Sequence, residues 1–233
     1  MDIGFASNYT NLHLIDTTPN GDERTWAYVG PGITSIETDN EDTTDDTAYY
    51  DGGGAASEDV TGVSLGYKIE GDRKFGDPAQ DFIAGLVYET GEGRKTNYKR
   101  IAPDGRTVEG RVTVKDIVAE GGEANDKNNF EATVKFDGLP TVGEPTKTEL
   151  PESVTLSAIS VAAGNTTQAS PTVTPATASA VCVYAVEDDS IATVDAMGNV
   201  TGVRAGTTKI TAKCIAKPLV NVTANVTVTG TVG

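Results

Sequence analysis

The sequence predicts an all-β chain with one α-helix, built in two successive parts, and three observations carry that prediction. The 233 residues are rich in Thr, Val and Gly, with 26 Gly and 10 Pro, a composition that suits many short strands joined by turns. One stretch alone combines helical apolar spacing with capping residues. A proline-rich polar segment near residue 140 separates a strongly acidic front from a nearly neutral back.

Residues 1–24, ending TTPNGDER, show weak periodicity and many turn formers, which predicts an arm with little packing of its own. TWAYVG (25–30) and GITSIET (32–38) read as two short strands around the Gly30-Pro31-Gly32 turn. Residues 39–59, DNEDTTDDTAYYDGGGAASED, hold eight acids and the run Gly52-Gly53-Gly54. Such a segment cannot bury much surface in a monomer and is expected to be a long mobile loop with a contact role. Val63, Leu65, Tyr67 and Ile69 then alternate with Ser64, Gly66, Lys68 and Glu70, the period of a half-buried strand.

In DPAQDFIAGLVYETGEG (77–93), Asp77 is an N-cap, Pro78 fits the first turn, Gln80 completes a capping box and Gly91 supplies the stop. Phe82, Ile83, Leu86 and Val87 share one face, which is expected to cover an open end or side of the sheet. Three more strands follow, KTNYKRIA, RTVEGRVTVKDIVAE and NFEATVKFDG, the first two linked through Pro103-Asp104-Gly105. In the last, Phe130, Ala132, Val134 and Phe136 alternate with Glu131, Thr133, Lys135 and Asp137. The front therefore reads as a β-sandwich or barrel with one covering helix. GLPTVGEPTKTELPES (138–153), with Pro140, Pro145 and Pro151, has the composition of a stiff, extended linker. Beyond it run short Thr/Val strands with no helix pattern, which suits an Ig-like sandwich. The expected organisation is 1–139, a linker 140–152, and 153–233.

Of the net charge of −16, residues 151–233 contribute about −1, from five acids and four bases, so about −15 belongs to residues 1–150. Such a surface repels phosphates and excludes a conventional DNA-gripping role unless the basic residues are segregated onto one face. The N-terminus lacks a basic start and an unbroken apolar stretch, and no 18-residue apolar run occurs, so folding in a cytoplasm without a membrane partner is expected. Cys182 and Cys214 leave two readings open, a disulfide or two buried reduced thiols, and the second suits a reducing compartment.

Catalysis is not expected. His13 is the only histidine and falls on the arm, which leaves no Ser-His-Asp or Cys-His constellation and no second imidazole for a metal. Asp39, Asp42, Asp45 and Asp46 lack the central glycine of a calcium loop, and a single Trp offers little to a sugar-stacking cleft. No cofactor is implied.

The back of the chain resembles the bacterial Ig-like group 2 domain family over residues 152–229. The residues that carry the resemblance are VTLS (154–157), TVTPATAS (172–179), DSIATVDAMGNVTGVRAGTTKITA (189–212) and the closing NVTVTG. The resemblance implies that Ile191 and Val194 enter a core, that Asp195–Gly198 is a hairpin turn, and that Gly202 and Gly206 permit tight backbone turns. Tyr184 stands where the family commonly places Trp. Members occur on adhesins, intimin-like proteins and phage virion proteins, as spacers or weak surface-binding modules.

The front resembles the tail tube proteins of long-tailed phages of Gram-positive bacteria over residues 20–141. The resemblance rests on DPAQDFIAGLVYETGEGRKTNYKRIAPDGRTVEGRVTVKD (77–116) and GGEANDKNNFEATVKFDGLPT (121–141). It implies a tail-tube-type sandwich or barrel and a structural role: hexameric rings that stack into a tube, with the Ig-like module decorating the outside. Asp39, Asp42, Asp45, Asp46, Tyr49, Tyr50 and Asp51 then lie on an inter-subunit, ring-stacking loop. Lys74, Arg94, Lys95, Lys99 and Arg100 would meet acidic neighbours on adjacent subunits. Partners implied are further copies of the chain, the tape measure, terminator and distal tail proteins, and DNA that passes the lumen without specific binding. Host glycans are a further partner if the Ig-like module has a ligand. The location is the virion tail, assembled in the host cytoplasm. The alternatives are a bacterial surface adhesin that carries an Ig-like domain and, third, a capsid decoration or another tail component such as a terminator.

Overall fold

The computed structural model describes residues 7–147 and 149–230, so the first six residues of the expected arm lie outside the described residues. The front strands are β1 Leu12–Asp16, β2 Trp26–Tyr28, β3 Ile33–Thr38, β4 Glu41–Ala48, β5 Ala56–Ser64, β6 Gly66–Asp72, β7 Lys95–Ile101, β8 Thr107–Val118, β9 Asn129–Phe136 and β10 Thr141–Val142. One α-helix, α1 Pro78–Gly85, interrupts them. The back strands are β11 Ser153–Thr155, β12 Ile159–Ala162, β13 Thr166–Gln168, β14 Thr172–Thr174, β15 Cys182–Val186, β16 Ala192–Val194, β17 Asn199–Gly202, β18 Gly206–Cys214 and β19 Asn221–Thr229. The chain is thus mainly β, a β-sheet front followed by a β module.

The front sheet runs β2–β1–β7–β8–β9–β6–β3, with β10 beside β8, and β4 pairs with β5 alone. Two compact units divide the chain. One holds the described residues up to Val29, Lys99–Glu109 and those from Thr141 onward; the other holds Gly30–Tyr98 and Gly110–Pro140.

In the second unit, Tyr67 and Ile69 of β6, Phe130, Ala132 and Val134 of β9, and Val112 and Val114 of β8 are buried. The strict alternation of β9 sends its apolar set to one face, while Lys135 and Glu131 stay half-buried on the other. Tyr67 lies 5.6 Å from Tyr98 and edge-on to Phe136 at 6.3 Å between ring centroids. The strand expected to contain Val63 through Ile69 is broken at Leu65: Val63 belongs to the exposed β5, and the core begins at Tyr67. A bulge between Lys115 and Val118 bends β8, with Asp116 in the left-handed region at φ 51°, a conformation its short polar side chain tolerates.

In the first unit β1 is buried along its whole length, which corrects the expectation of a loosely packed arm. Leu12, Leu14 and Trp26 form an apolar cluster with Ile215, against which Tyr28, Ile101, Val181, Val183 and Ala196 pack. The neighbouring β15 and β18 are therefore covered on two sides. Val181, Val183 and Ile215 face β1 and β2, while Cys182 and Cys214 face a core with Val154, Val173, Ala178, Ala212 and Val220. His13, expected on a mobile arm, is buried in β1, and burial together with the charge of Arg100 pulls its pKa down to about 4. The proline-rich segment is tied down where it passes the β7–β8 turn. The amides of Thr146 and Lys147 donate to the Asp104 carbonyl at 3.1 and 3.0 Å, and β10 pairs with β8.

The back module is a sandwich of a four-stranded sheet, β12–β19–β18–β15, and a three-stranded one, β13–β17–β16, with β11–β14 as a further pair. Its second core holds Val161, Ala192, Val200, Ile210, Val226 and Val228, with Ile191, Val194 and Tyr184 packed against it. Asp195 makes the β16–β17 turn by accepting from the amides of Met197 at 2.9 Å and Asn199 at 2.8 Å. Gly198 sits at φ 84°, where a β-carbon would meet the Tyr184 ring at 2.9 Å. Gly202 is the last residue of β17, where a β-carbon would stand 2.7 Å from the Ala162 carbonyl, so its smallness admits a neighbouring strand as the chain leaves for the turn to β18.

Candidate assembly surface

The segment expected as a loop is a β-hairpin. β4 and β5 pair from Glu41↔Ser64 to Ala48↔Ala56, with a bulge between Thr43 and Thr44. The tip is a 3-10 turn, Tyr50–Gly52, closed by Gly53 and Gly54 at φ 66° and 81°. Thr43, Thr44 and Thr47 in β4 and Val60, Thr61 and Val63 in β5 favour the extended backbone. Neither strand has a buried face: of Glu41–Ser64 only Thr47 and Gly62 are even half-covered. Asp42, Asp45, Asp46 and Asp51 are exposed, and so are Tyr49 and Tyr50, the latter fully.

The electrostatics of this ribbon oppose its own formation. Residues 41–64 carry seven acids and no base, and the register sets Asp45 opposite Asp59 and Asp46 opposite Glu58. Like charges directly across an antiparallel pair are destabilising, and a lone two-stranded hairpin is marginal in water. Only the root is firmly held. Lys135 pairs with Asp39 at 3.0 Å and also donates to its carbonyl, the Asp39 amide donates to the Gly66 carbonyl at 2.9 Å, and the Asn40 side chain accepts from the Gly66 amide at 3.3 Å. Asp39 thus fixes the base of the ribbon, with its carboxylate half-buried.

The helix is shorter than the sequence suggests. It runs Pro78–Gly85 and is followed by 3-10 turns at Leu86–Tyr88 and Gly91–Arg94. Asp77 caps it by accepting from the Gln80 amide at 3.0 Å. Gln80 does not return to the cap as a capping box requires. Its buried amide group donates to the carbonyls of Pro31 at 2.7 Å and Asp72 at 3.2 Å and accepts from the Lys74 amide at 2.6 Å. It thereby locks the helix start to the strand β3 entry and the end of β6, a role that its type alone does not reveal. Ile83 and Leu86 are buried, while Phe82 and Val87 are half-buried. Arg73, paired with Asp81 at 2.6 Å and stacked 4.7 Å over Phe75, borders an open apolar groove of about 310 Å³ with Val87, Tyr88 and Val118.

Most bases expected to face neighbouring subunits have partners within the chain. Arg94 donates to the carbonyls of Glu89 and Val87 at 2.7 and 2.8 Å and so closes the carbonyls left after the helix. Lys95 lies 3.1 Å from Glu92 and 3.2 Å from Asp137, and hydrogen bonds from Lys95 and Arg111 hold the Glu92 carboxyl below its usual pKa. Lys99 pairs with Glu109 at 2.7 Å over the Trp26 ring, and Arg100 donates to Asn11 at 3.1 Å. Lys74 is exposed. Among the described residues no cluster of three or more His, Cys, Asp or Glu is placed to hold a metal ion.

The back module meets a known family at this point. Residues 151–214 match the bacterial Ig-like domain (group 2) family. This Ig-like domain contributes the sandwich, the Asp195 turn and both of its cores. Among solved structures, the chain is similar to a chain in the tail of an empty gene transfer agent particle with C6 symmetry, at TM-score 0.50 and 17% identity, over 60% of this chain and 100% of that one. A chain of the native gene transfer agent virion follows at TM-score 0.49 and 16% identity, over 60% and 100%. A chain of the anti-feeding prophage tube-terminating cap has TM-score 0.40 and 12% identity, over 61% and 94%. Residues 151–233 are 83 of 233, fewer than 60% of the chain, so the likeness to the six-fold tail subunit draws on the front sheet. What is shared is a tail-tube-like fold. No curated protein matches the chain.

Proposed function

We propose that the chain is the repeating tube subunit of a long-tailed phage or phage-like particle, forming hexameric rings that stack, with the Ig-like domain as external decoration. The observation that carries this reading is the hairpin Glu41–Ser64. It is ordered as a ribbon yet exposes its aromatic tip and sets acid against acid. A second copy supplying donors and apolar cover would relieve both defects. The fold shared with a subunit of a C6 tail supports the same geometry. In this reading Asp39, at the root of the ribbon, and Asp42, Asp45, Asp46, Tyr49, Tyr50 and Asp51 contact the adjacent ring, while Phe82 and Ile83 of α1 and Leu86 and Val87 of the 3-10 turn after it hold the helix on its sheet. The front charge of about −15 keeps a passing polyanion from adhering to the lumen. Tape measure, terminator and distal tail proteins would cap the tube, and six Ig-like domains per ring would give any weak glycan affinity useful avidity.

Negative-stain microscopy of concentrated protein tests the reading. Six-fold rings or tubes are expected from the full chain, and a folded monomer from a chain whose residues 42–63 are replaced by a short turn. A full chain that stays monomeric at every concentration and salt overturns it. The Ig-like match favours a second reading, a bacterial surface adhesin. That reading requires monomers that bind whole cells through residues 151–214.

A further inference from the structure

Cys182 opens β15 and Cys214 closes β18, and the register sets them directly opposite each other. Their sulfurs are 3.7 Å apart, both are free thiols, and both side chains are buried in one core. The kind of pairing follows from the neighbouring hydrogen bond. The Ile215 amide donates to the Val181 carbonyl at 3.0 Å, so Val181 and Ile215 form a hydrogen-bonded pair and the next pair along, Cys182 and Cys214, is of the non-hydrogen-bonded kind. In such pairs the α-carbons stand about 4.5 Å apart, at the short end of the roughly 4.4–6.8 Å that disulfides span.

We propose that Cys182 and Cys214 are an oxidisable pair, a modification site that folds as a dithiol and closes under a low-molecular-weight disulfide to cross-link β15 to β18. This goes beyond the tube reading and does not rest on it.

The chemistry balances with the oxidant named. The thiolate of one cysteine attacks a sulfur of the oxidant disulfide, forming a mixed disulfide and releasing one small thiol. The second cysteine then attacks the protein sulfur of that mixed disulfide and releases the other small thiol. Two protons and two electrons pass from the cysteines to the oxidant, and one S–S bond is made for one broken. The contact between the two sulfurs lets one thiol give up its proton more readily than an isolated buried thiol would. Either S–H can donate to the other sulfur across 3.7 Å, and the thiolate left on the accepting sulfur, here Cys214, is the one the contact favours. Access comes from the position of both residues at strand ends, where pairing frays before the centre opens. The location gives the bond a consequence. Val181, Val183 and Ile215, which flank the two cysteines, are the residues that pack on β1 and β2. A cross-link there holds together the strand ends that form this seam.

The test uses the full chain, purified reduced and equilibrated in mixtures of reduced and oxidised glutathione, then acid-quenched, alkylated and weighed intact. The expected result is conversion from two alkylated thiols to none, with loss of two hydrogens, no accumulated glutathione adduct, and a higher urea midpoint that reverts on reduction. The C214A variant should stall, either carrying glutathione on Cys182 or remaining a thiol. The proposal is overturned if both thiols of the folded chain are still alkylated in mixtures that oxidise the same chain in urea, or if a glutathione adduct is the stable product.

Discussion

The hairpin β4–β5 and the strand pair β1–β2 occupy opposite extremes of the same chain. β1 is buried on both faces, contributes Leu12 and Leu14 to a cluster with Trp26 and Ile215, and holds the chain's one histidine in a buried site. The hairpin is longer and regularly paired, yet exposes nearly every side chain and opposes its own charges. Backbone pairing is therefore a poor guide to local stability: the five residues of β1 are held by packing and the 24 of the hairpin by little but their ladder. The difference separates a part that stabilises the subunit from one shaped for a contact outside it.

The largest expected break in that comparison is Leu14→Ala set against Tyr50→Ala. Leu14 is fully buried, so its truncation should cost about 2–5 kcal/mol of unfolding free energy. Tyr50 is fully exposed and its truncation should leave the urea midpoint unchanged while weakening ring stacking, measured by sedimentation.

Next comes pH. The folded His13 pKa of about 4 lies below its ordinary 6.5, so the unfolded chain binds the proton first as pH falls. Stability from this group is complete above about pH 7, declines between about pH 6.5 and 4, and is flat below, a loss of about 3 kcal/mol in all. Urea midpoints at pH 7, 5 and 4 for the wild type and His13→Gln should converge toward acid. Parallel curves would show that His13 charges without penalty.

A smaller effect is expected in the Ig-like domain. Gly198→Ala places a side chain at φ 84° and against the Tyr184 ring, at a cost of about 1–3 kcal/mol in urea unfolding.

How much of this was legible follows from where each strand sits. The β9 alternation and the Asp77-Pro78 helix start were readable because one face is buried and one cap is local. The Asp195 turn was readable through its resemblance to a known domain. β1 was unreadable because LHLID is covered on both sides, which removes the period that marks a strand. The hairpin was missed for the opposite reason: neither face is covered, so its acids and threonines carry no alternation and read as a loop. Gln80 was recognised at the cap but not as the link to Pro31 and Asp72, since a residue 49 positions away leaves no local signal. The pairings of Arg100 with Asn11 and of Arg24 with Glu109 at 2.5 Å left no local signal for the same reason, since their partners stand 89 and 85 positions away.

The smallest perturbation is the most discriminating for the contact itself. Asp45→Lys converts the Asp45–Asp59 repulsion into an attractive cross-strand pair, which should stabilise the ribbon by about 0.2–1 kcal/mol. Amide exchange in β4 and β5 should slow by a few-fold, and the global urea midpoint should not move, because the hairpin shares no core with the sheet. If the acids serve only solubility, assembly should then improve, since the ribbon is better ordered. If they meet donors on a second copy, the added base removes one favourable contact and introduces a repulsive one, so rings should form more weakly despite the firmer hairpin. Slower exchange together with weaker assembly is the outcome expected here. Slower exchange with stronger assembly would assign the charge to the ribbon's solubility and leave Tyr49 and Tyr50 as the contact.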